Sequence, residues 1–279
     1  VMMFLTLLPT IINEASSVGL LLGDRLRPIY DRSFSQFIND GRLTIWSHSD
    51  FKAGKLLTSD YDFQIPIGSI CQHRFTSISD YRRHEPLIKH DTARSALLRE
   101  EYLSKSSDPK NTLLVGLSWR GGGKGKRIKQ KSIPLSDFES IISGHRNILF
   151  VSLQYGEVES EINSLQSQGI PIILDKRINP LKNMDAWIDQ VAACDAVISV
   201  ANTTIHGAGG LRKPTMCLLS QYSDWRWFKS RSVTKSYWYS SVGVAHFDPE
   251  YSWEPGRKLV RSWLEERCPL PQGLISVKV

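Results

Sequence analysis

The sequence predicts an α/β protein built on a parallel, doubly wound sheet. Three observations carry this. From residue 111 onward, apolar runs of strand length alternate with segments of helical period, the pattern that βαβ units write into a chain. Segments rich in glycine and hydroxyl side chains directly follow two of the runs, and ligands on such sheets bind outside the carboxyl ends of the strands. With 279 residues, 41% hydrophobic and 23% charged, the chain can bury a large core, and two ordinary domains fit its length.

The elements follow in order. The opening VMMFLTLLPTII lacks a basic flank, is too short to span a bilayer and is ended by Asn13 and Glu14, so a buried helix is expected there. No start methionine precedes it and no strand stands in front, which gives the expectation of a chain that starts partway through its first domain. VGLLL at 18–22, bounded by Gly23 and Asp24, predicts a buried strand. Further strands are expected at 42–46 (RLTIW) and 62–67 (DFQIPI). Residues 72–108 are polar and basic, with a helix expected over 93–103 followed by the linker-like Ser-Lys-Ser-Ser-Asp-Pro, which puts the domain division between 1–108 and 109–279. The second part predicts strands at 112–119, 147–153, 170–174, 196–200 and 215–219, with helices over 136–143, 157–168, 185–193 and 203–211.

A net charge of +7, from 35 basic and 28 acidic residues, favours anionic partners: phosphates, nucleic acid or an acidic membrane surface. Much of it lies in the run from Lys124 to Lys131 and around Arg82 and Arg83; a solvated surface accounts for such runs equally well. Cys71, Cys194, Cys217 and Cys268 are far apart and form no CxxC pair, which suggests neither a zinc site nor a disulfide framework and fits a reducing cytoplasm. Asp60 and Asp62 fit a solvated turn better than a metal-binding carboxylate pair.

Four segments could carry chemistry. Ser118-Trp-Arg-Gly-Gly-Gly-Lys-Gly-Lys-Arg127 follows the strand that opens the second part; its glycines let backbone amides approach a ligand and its cations suit a diphosphate. It matches neither a P-loop nor a dinucleotide fingerprint, and a mobile surface loop is the competing reading. In Val200-Ala-Asn-Thr-Thr-Ile-His-Gly-Ala-Gly-Gly, Asn202 or Thr203 can cap a helix whose first amides face whatever lies above the strand. Thr203 and Thr204 add hydroxyl donors, Gly207 to Gly210 permit close helix packing, and His206, one turn in, is assigned to ligand binding rather than to acid catalysis. Gln154 and Tyr155 could face a base or ribose, or simply form a strand-to-helix turn. Asp224, Trp225 and Arg226 follow the 215–219 strand, where three aromatics within four positions fit ligand contact or interface packing.

The ordered series VGLSWRGG, SIPLSDF, FVSLQYGE, ACDAVISVANTTIHGAGGLRKPTMCLLSQYSDWRWF and WYSSV resembles the C-terminal domain of bacterial glycosyltransferases related to family 9, the ADP-heptose heptosyltransferase family. It is most similar to versions attached to tetratricopeptide repeats, and more distantly to the O-GlcNAc transferases. The resemblance is strong over 112–245 and weaker over 1–105. It implies the GT-B fold, two Rossmann-like doubly wound domains facing a cleft, with the N-terminal one truncated here. It also implies metal-independent transfer of a sugar from a nucleotide-diphosphate sugar to an acceptor hydroxyl, with no cofactor beyond that donor. The acceptor would be a glycan, a lipopolysaccharide or a protein; an upstream tetratricopeptide region is a further implied partner and nucleic acid is not. The implied location is the cytoplasm, peripheral at the inner membrane surface.

Carried onto this chain, the resemblance places Ser118, Arg120 and Gly121 near the donor phosphates and Gln154 near the nucleoside. Asn202, Thr203, Thr204 and His206 receive the diphosphate, and Asp224 lies on the donor side. The terminal helix, about 254–267, would cross back towards the first domain. Ala201 stands where relatives often have aspartate, and the Gly-Asp loop supplying the family's proposed base would precede Val1. Two other classes compete: a non-catalytic nucleotide- or glycan-binding module of the same fold, and a nucleic-acid binder. The latter is disfavoured because the basic residues are not interleaved with aromatics on a recognisable nucleic-acid fold.

Overall fold

The computed structural model describes residues 2–81, 85–123, 125–223, 225–227, 234–248 and 252–271. VGLLL and LTIWS form β1 (Val18–Leu22) and β2 (Leu43–Ser47), paired in parallel with Val18 opposite Leu43. Six further strands make a second, larger parallel sheet: β3 (Leu113–Ser118), β4 (Ile148–Ser152), β5 (Ile172–Ile173), β6 (Ala196–Val200), β7 (Thr215–Ser220) and β8 (Val242–Phe247). Their order is β5-β4-β3-β6-β7-β8. The direction of winding reverses between β3 and β6, which opens a crevice at the carboxyl ends of those two strands. Every residue of β6 and β7 is buried, as expected of parallel strands covered by helices on both faces.

Polar side chains start three of the helices that flank this sheet. Asp91 accepts from the Arg94 amide at the head of the Thr92–Leu103 helix, Asn183 from Ala186 at the head of Met184–Ala193, and Asn202 from Thr204 at the head of Thr203–Gly210. Each satisfies one of the backbone donors a helix leaves unpaired at its start. The opening segment is a 3-10 helix, Met2–Leu7, continued by the α-helix Leu8–Glu14. Pro9 sits in the first turn of the latter, where no N–H is required.

Two expectations are corrected. Residues 62–67 form no strand: Phe63 is 92% exposed and Pro66 has no N–H to give a ladder, while the chain turns into a 3-10 helix at Ile67–Ile70. Trp46 of β2 donates its indole N–H to the Tyr61 hydroxyl just before this segment, at 3.0 Å. Conversely, the VGVAHF run was not expected as a strand, yet it adds as β8 along β7 from Val242–Thr215 to Phe247–Ser220.

The two parts of the chain share core. Leu20, Leu22, Ile29, Tyr30, Leu98 and Tyr102 pack in one cluster with Leu114, Val151, Trp187, Ile188 and Val197 of the large sheet and its helices. Met3, Phe4 and Leu7 pack with Ile205, Trp238 and Tyr239. The terminal helix, Glu254–Glu265, runs beside β8 and the Glu139–Ile142 helix, and puts Val260, Trp263 and Leu264 into the core under the large sheet.

The Thr203–Gly210 helix is held on three sides through its glycines. A methyl group would meet the Trp187 ring at 2.9 Å from Gly207, the Tyr239 ring at 2.4 Å from Gly209 and the Ile88 side chain at 2.5 Å from Gly210. Tyr239 is buried and cannot swing away. Gly209→Ala is therefore expected to lower stability by about 1–3 kcal/mol, the cost of overpacking, although the same change in an exposed helix gains about 1 kcal/mol. A urea midpoint that rises instead would show that the ring can give way.

Candidate functional site

Three loops converge where β3, β4 and β6 end. Ser118 closes β3, Gln154 stands two residues beyond β4 and Asn202 two beyond β6. The Gln154 carboxamide oxygen accepts from the Ser118 hydroxyl at 2.9 Å, the Trp119 amide at 3.0 Å and the Arg120 amide at 2.8 Å. Asn202 Nδ2 donates to Ser118 Oγ at 2.7 Å and to the Arg120 carbonyl at 3.0 Å, while its Oδ1 accepts from the Thr204 amide at 2.8 Å and from Ser199 Oγ at 3.0 Å. The glycine-rich loop and the helix start therefore stand on the same side of the molecule, fastened to each other.

Within this cluster the side chains face differently from expectation. Arg120 turns towards the β4 loop: its guanidinium donates to the Glu157 carbonyl at 2.6 Å and lies 3.6 Å from Glu161. Gly121 donates its amide to Ser132 Oγ at 2.9 Å, and a methyl there would strike Lys131 at 2.6 Å, so only glycine lets the loop fold back on that residue. Thr204 is 1% exposed and lies behind the site, whereas Thr203 is exposed at its mouth. The Gln154 carboxamide braces the loop from beneath instead of facing an open base pocket. Gly122 lies under Tyr155, whose hydroxyl would be 3.3 Å from a methyl at that glycine.

The remaining predicted residues lie around this cluster. His206 is one turn into the helix, with Nδ1 3.3 Å from the buried Tyr239 hydroxyl; burial pushes that phenol well above its ordinary pKa, so it stays a neutral partner. Asp224 and Lys124 lie outside the described residues. Next to Asp224, Trp225 is 53% exposed with the Arg226 guanidinium 4.9 Å from its ring centre. Two residues not singled out in the sequence belong to the site: Ser132 and Ser199. A hydroxyl inside the fully buried AVISV strand has to find a partner, and that rule alone would have marked Ser199. Ser132 carries no comparable signal.

A second set of polar contacts gathers at the carboxyl ends of β1 and β2. Asp24 accepts from the Ser49 amide at 3.3 Å and from its hydroxyl, and these bonds hold its carboxyl below the usual range. Asp50 is lowered further by Ser47, whose hydroxyl donates at 2.8 Å and amide at 3.1 Å, and then by Lys55 and Arg27. Both are ionised acceptors at neutral pH. Arg25 donates to the Leu181 carbonyl at 3.3 Å, joining this edge to the loop that leads into the Met184–Ala193 helix. Among the described residues no three His, Cys, Asp or Glu side chains stand together as a metal site, and no helix is long and apolar enough to cross a membrane.

No family model matches the sequence. Protein FlbA of Caulobacter vibrioides is 26% identical over 261 residues, covering 91% of this chain but 42% of that protein; the chain spans about two fifths of the relative's length. Among solved structures, the glycosyl transferase family 9 protein from Veillonella parvula DSM 2008 superposes with a TM-score of 0.60 at 12% identity, covering 95% of this chain and 94% of that one. E. coli ADP-heptose LPS heptosyltransferase II superposes with a TM-score of 0.53, also at 12% identity, over 95% and 96% of the two chains. At such identities the likeness is one of backbone arrangement, and what it shows is that this chain has the α/β, GT-B fold of those glycosyltransferases.

Proposed function

We propose that this chain is the donor-binding part of a glycosyltransferase that moves a sugar from a nucleotide-diphosphate sugar to an acceptor hydroxyl of a glycan, lipopolysaccharide or protein. The observation that supports it best is the fastening of the glycine-rich loop to the start of the Thr203–Gly210 helix through Asn202, at 2.7 Å to Ser118 and 3.0 Å to Arg120. A helix start presents unpaired amides and the positive end of the helix dipole, both suited to an anion. The amides of Gly122, Gly123 and Thr203 and the Thr203 hydroxyl have no hydrogen-bond partner among the described residues, so the diphosphate is assigned to them.

Chemistry of this class releases a nucleoside diphosphate. The negative charge that grows on the diphosphate as the glycosidic bond breaks is met by donors already in place, which is where preorganised amides lower a barrier most. Gln154, Arg120 and Thr204 support these donors from behind; His206 is kept as a flank of the seat. Ala201, a methyl group where the resembled enzymes carry a carboxylate, favours a second reading as a non-catalytic nucleotide-binding module of the same fold. The two readings differ in turnover: only the enzyme consumes a bound nucleotide sugar.

The test is calorimetric titration with ADP, GDP, UDP and CMP, repeated with Thr203→Asp. An acidic residue in the first turn favours the helix itself but repels a diphosphate, so melting temperature should hold while affinity falls at least about tenfold, or 1.4 kcal/mol. If the wild type binds none of the four nucleotides, the donor-site reading is wrong.

A further inference from the structure

We propose that Gln154 is a positioning residue for the diphosphate seat, one that acts through the glycine-rich loop and does not touch the nucleotide. The inference rests on the donor-binding reading above. Its geometry is a directed chain. Asn202 Nδ2 donates to Ser118 Oγ at 2.7 Å, which leaves the Ser118 proton free to go to Gln154 Oε1 at 2.9 Å. The same oxygen collects the amides of Trp119 at 3.0 Å and Arg120 at 2.8 Å, and Gln154 Nε2 donates to the Tyr155 carbonyl at 3.2 Å, which fixes which way the carboxamide faces. Gln154 is buried, so water cannot replace these bonds, and bonds linked in series strengthen one another.

The consequence for the ligand follows by accounting for amides. Those of residues 119 and 120 are held by Gln154 and that of 121 by Ser132 Oγ at 2.9 Å. The β3 loop can therefore offer a phosphate its amides only from Gly122 onward. Gly122 and Gly123 have no intrinsic stiffness, Gly123 already sitting at φ 132°, and a flexible donor loop loses affinity to the ordering it must undergo. Anchoring the three preceding residues at their amides removes that ordering cost in advance. The Gln154 carboxamide oxygen reaches both amides and the serine hydroxyl at once.

Gln154→Met keeps the side chain's length and removes the acceptor. In this variant inorganic pyrophosphate and the tightest-binding nucleoside diphosphate should both weaken by the same factor, about tenfold, and amide exchange at Trp119 and Arg120 should accelerate while the β3 amides stay protected. A nucleoside contact would leave pyrophosphate binding unchanged, and a merely structural role would lower the melting temperature with both affinities intact; either result overturns the proposal while the donor site stands. Wild-type protein that binds neither probe overturns the donor site and this role with it. Should Gln154→Met not fold, Ser118→Ala, which deletes one of the three donors and the Asn202 acceptor, is expected to weaken both probes equally by a smaller factor.

Discussion

Replacing Arg94 by alanine is expected to destabilise the protein by about 3–5 kcal/mol, the cost of leaving a buried charge without its partner, read as a fall in the denaturant midpoint at neutral pH. The charge is Asp189, which is fully buried in the Met184–Ala193 helix. Its Oδ1 accepts from the Asp91 amide at 2.8 Å, and its Oδ2 has Arg94 Nε at 3.0 Å but no aligned hydrogen bond. Arg94 is thus the cation that makes an ionised Asp189 tolerable. The same helix carries Asp185, gripped by both terminal nitrogens of Arg32 at 2.6–2.7 Å, and Trp187, whose ring lies against Gly207 of the candidate donor helix. Loosening this contact should therefore be felt at the site as well as in global stability.

The pH dependence supplies an independent check with a definite sign. Burial raises the Asp189 carboxyl above its ordinary value, with the Asp91 amide and Arg94 pulling it down and Asp185 pushing it up. A carboxyl raised in the folded state contributes stability that is fully present below the unfolded value, about 4, and is lost as pH rises through the folded value. Without Arg94 that folded value moves higher. Arg94→Ala should therefore recover part of its deficit as the pH is lowered from neutral towards the unfolded value, about 4, and Asp189→Asn in the same background should abolish the recovery. The wild type should move the other way on strong acidification, because Asp50, Asp91 and Asp175 have lowered values and lose stability as they protonate. A variant whose deficit is the same across that range would mean that Arg94 acts through packing of its methylenes.

How much of this was legible depends on what sets each feature. The strands at 18–22 and 196–200 coincide with the apolar runs VGLLL and AVISV; the second is buried throughout, and a strand enclosed on both faces needs an unbroken apolar stretch, whereas the first buries Leu20 and Leu22 and leaves Leu21 41% exposed. The 62–67 run has the alternation of a strand yet joins neither edge of the two-stranded β1–β2 sheet, and pairing is a tertiary fact. In β8 the reverse holds: Gly243 and His246 break the run, yet the exposed edge of β7 recruits it. The same divide runs through the site. Its position at the ends of β3, β4 and β6 follows from helix-cap and glycine chemistry after strands. The direction of each side chain does not: nothing local says that Thr204 faces inward and Thr203 outward, or that Gln154 reaches back to three donors 34 to 36 residues away.

Asn202 is where the legible and the illegible parts meet, and its removal should have the second-largest effect. As a helix cap it was visible in the sequence, and a cap of this kind is worth about 1 kcal/mol. The structure adds a strut: besides the Thr204 amide, its carboxamide engages Ser199 Oγ at 3.0 Å, Ser118 Oγ at 2.7 Å and the Arg120 carbonyl at 3.0 Å. At about 0.5–1 kcal/mol for each of four bonds, the lower half of the usual range because Asn202 is only half-buried, Asn202→Ala should lower stability by about 2–4 kcal/mol and remove nucleotide binding, since the loop and the helix lose their only direct side-chain tie among the described residues. Asn202→Ser separates the two contributions. Serine caps a helix as well as asparagine does but is too short to reach Ser118 and Arg120 across the crevice, so it should restore about 1 kcal/mol and little of the binding. If serine instead restores both, the cap alone organises the helix start, and the loops after β3 and β6 are not coupled through residue 202.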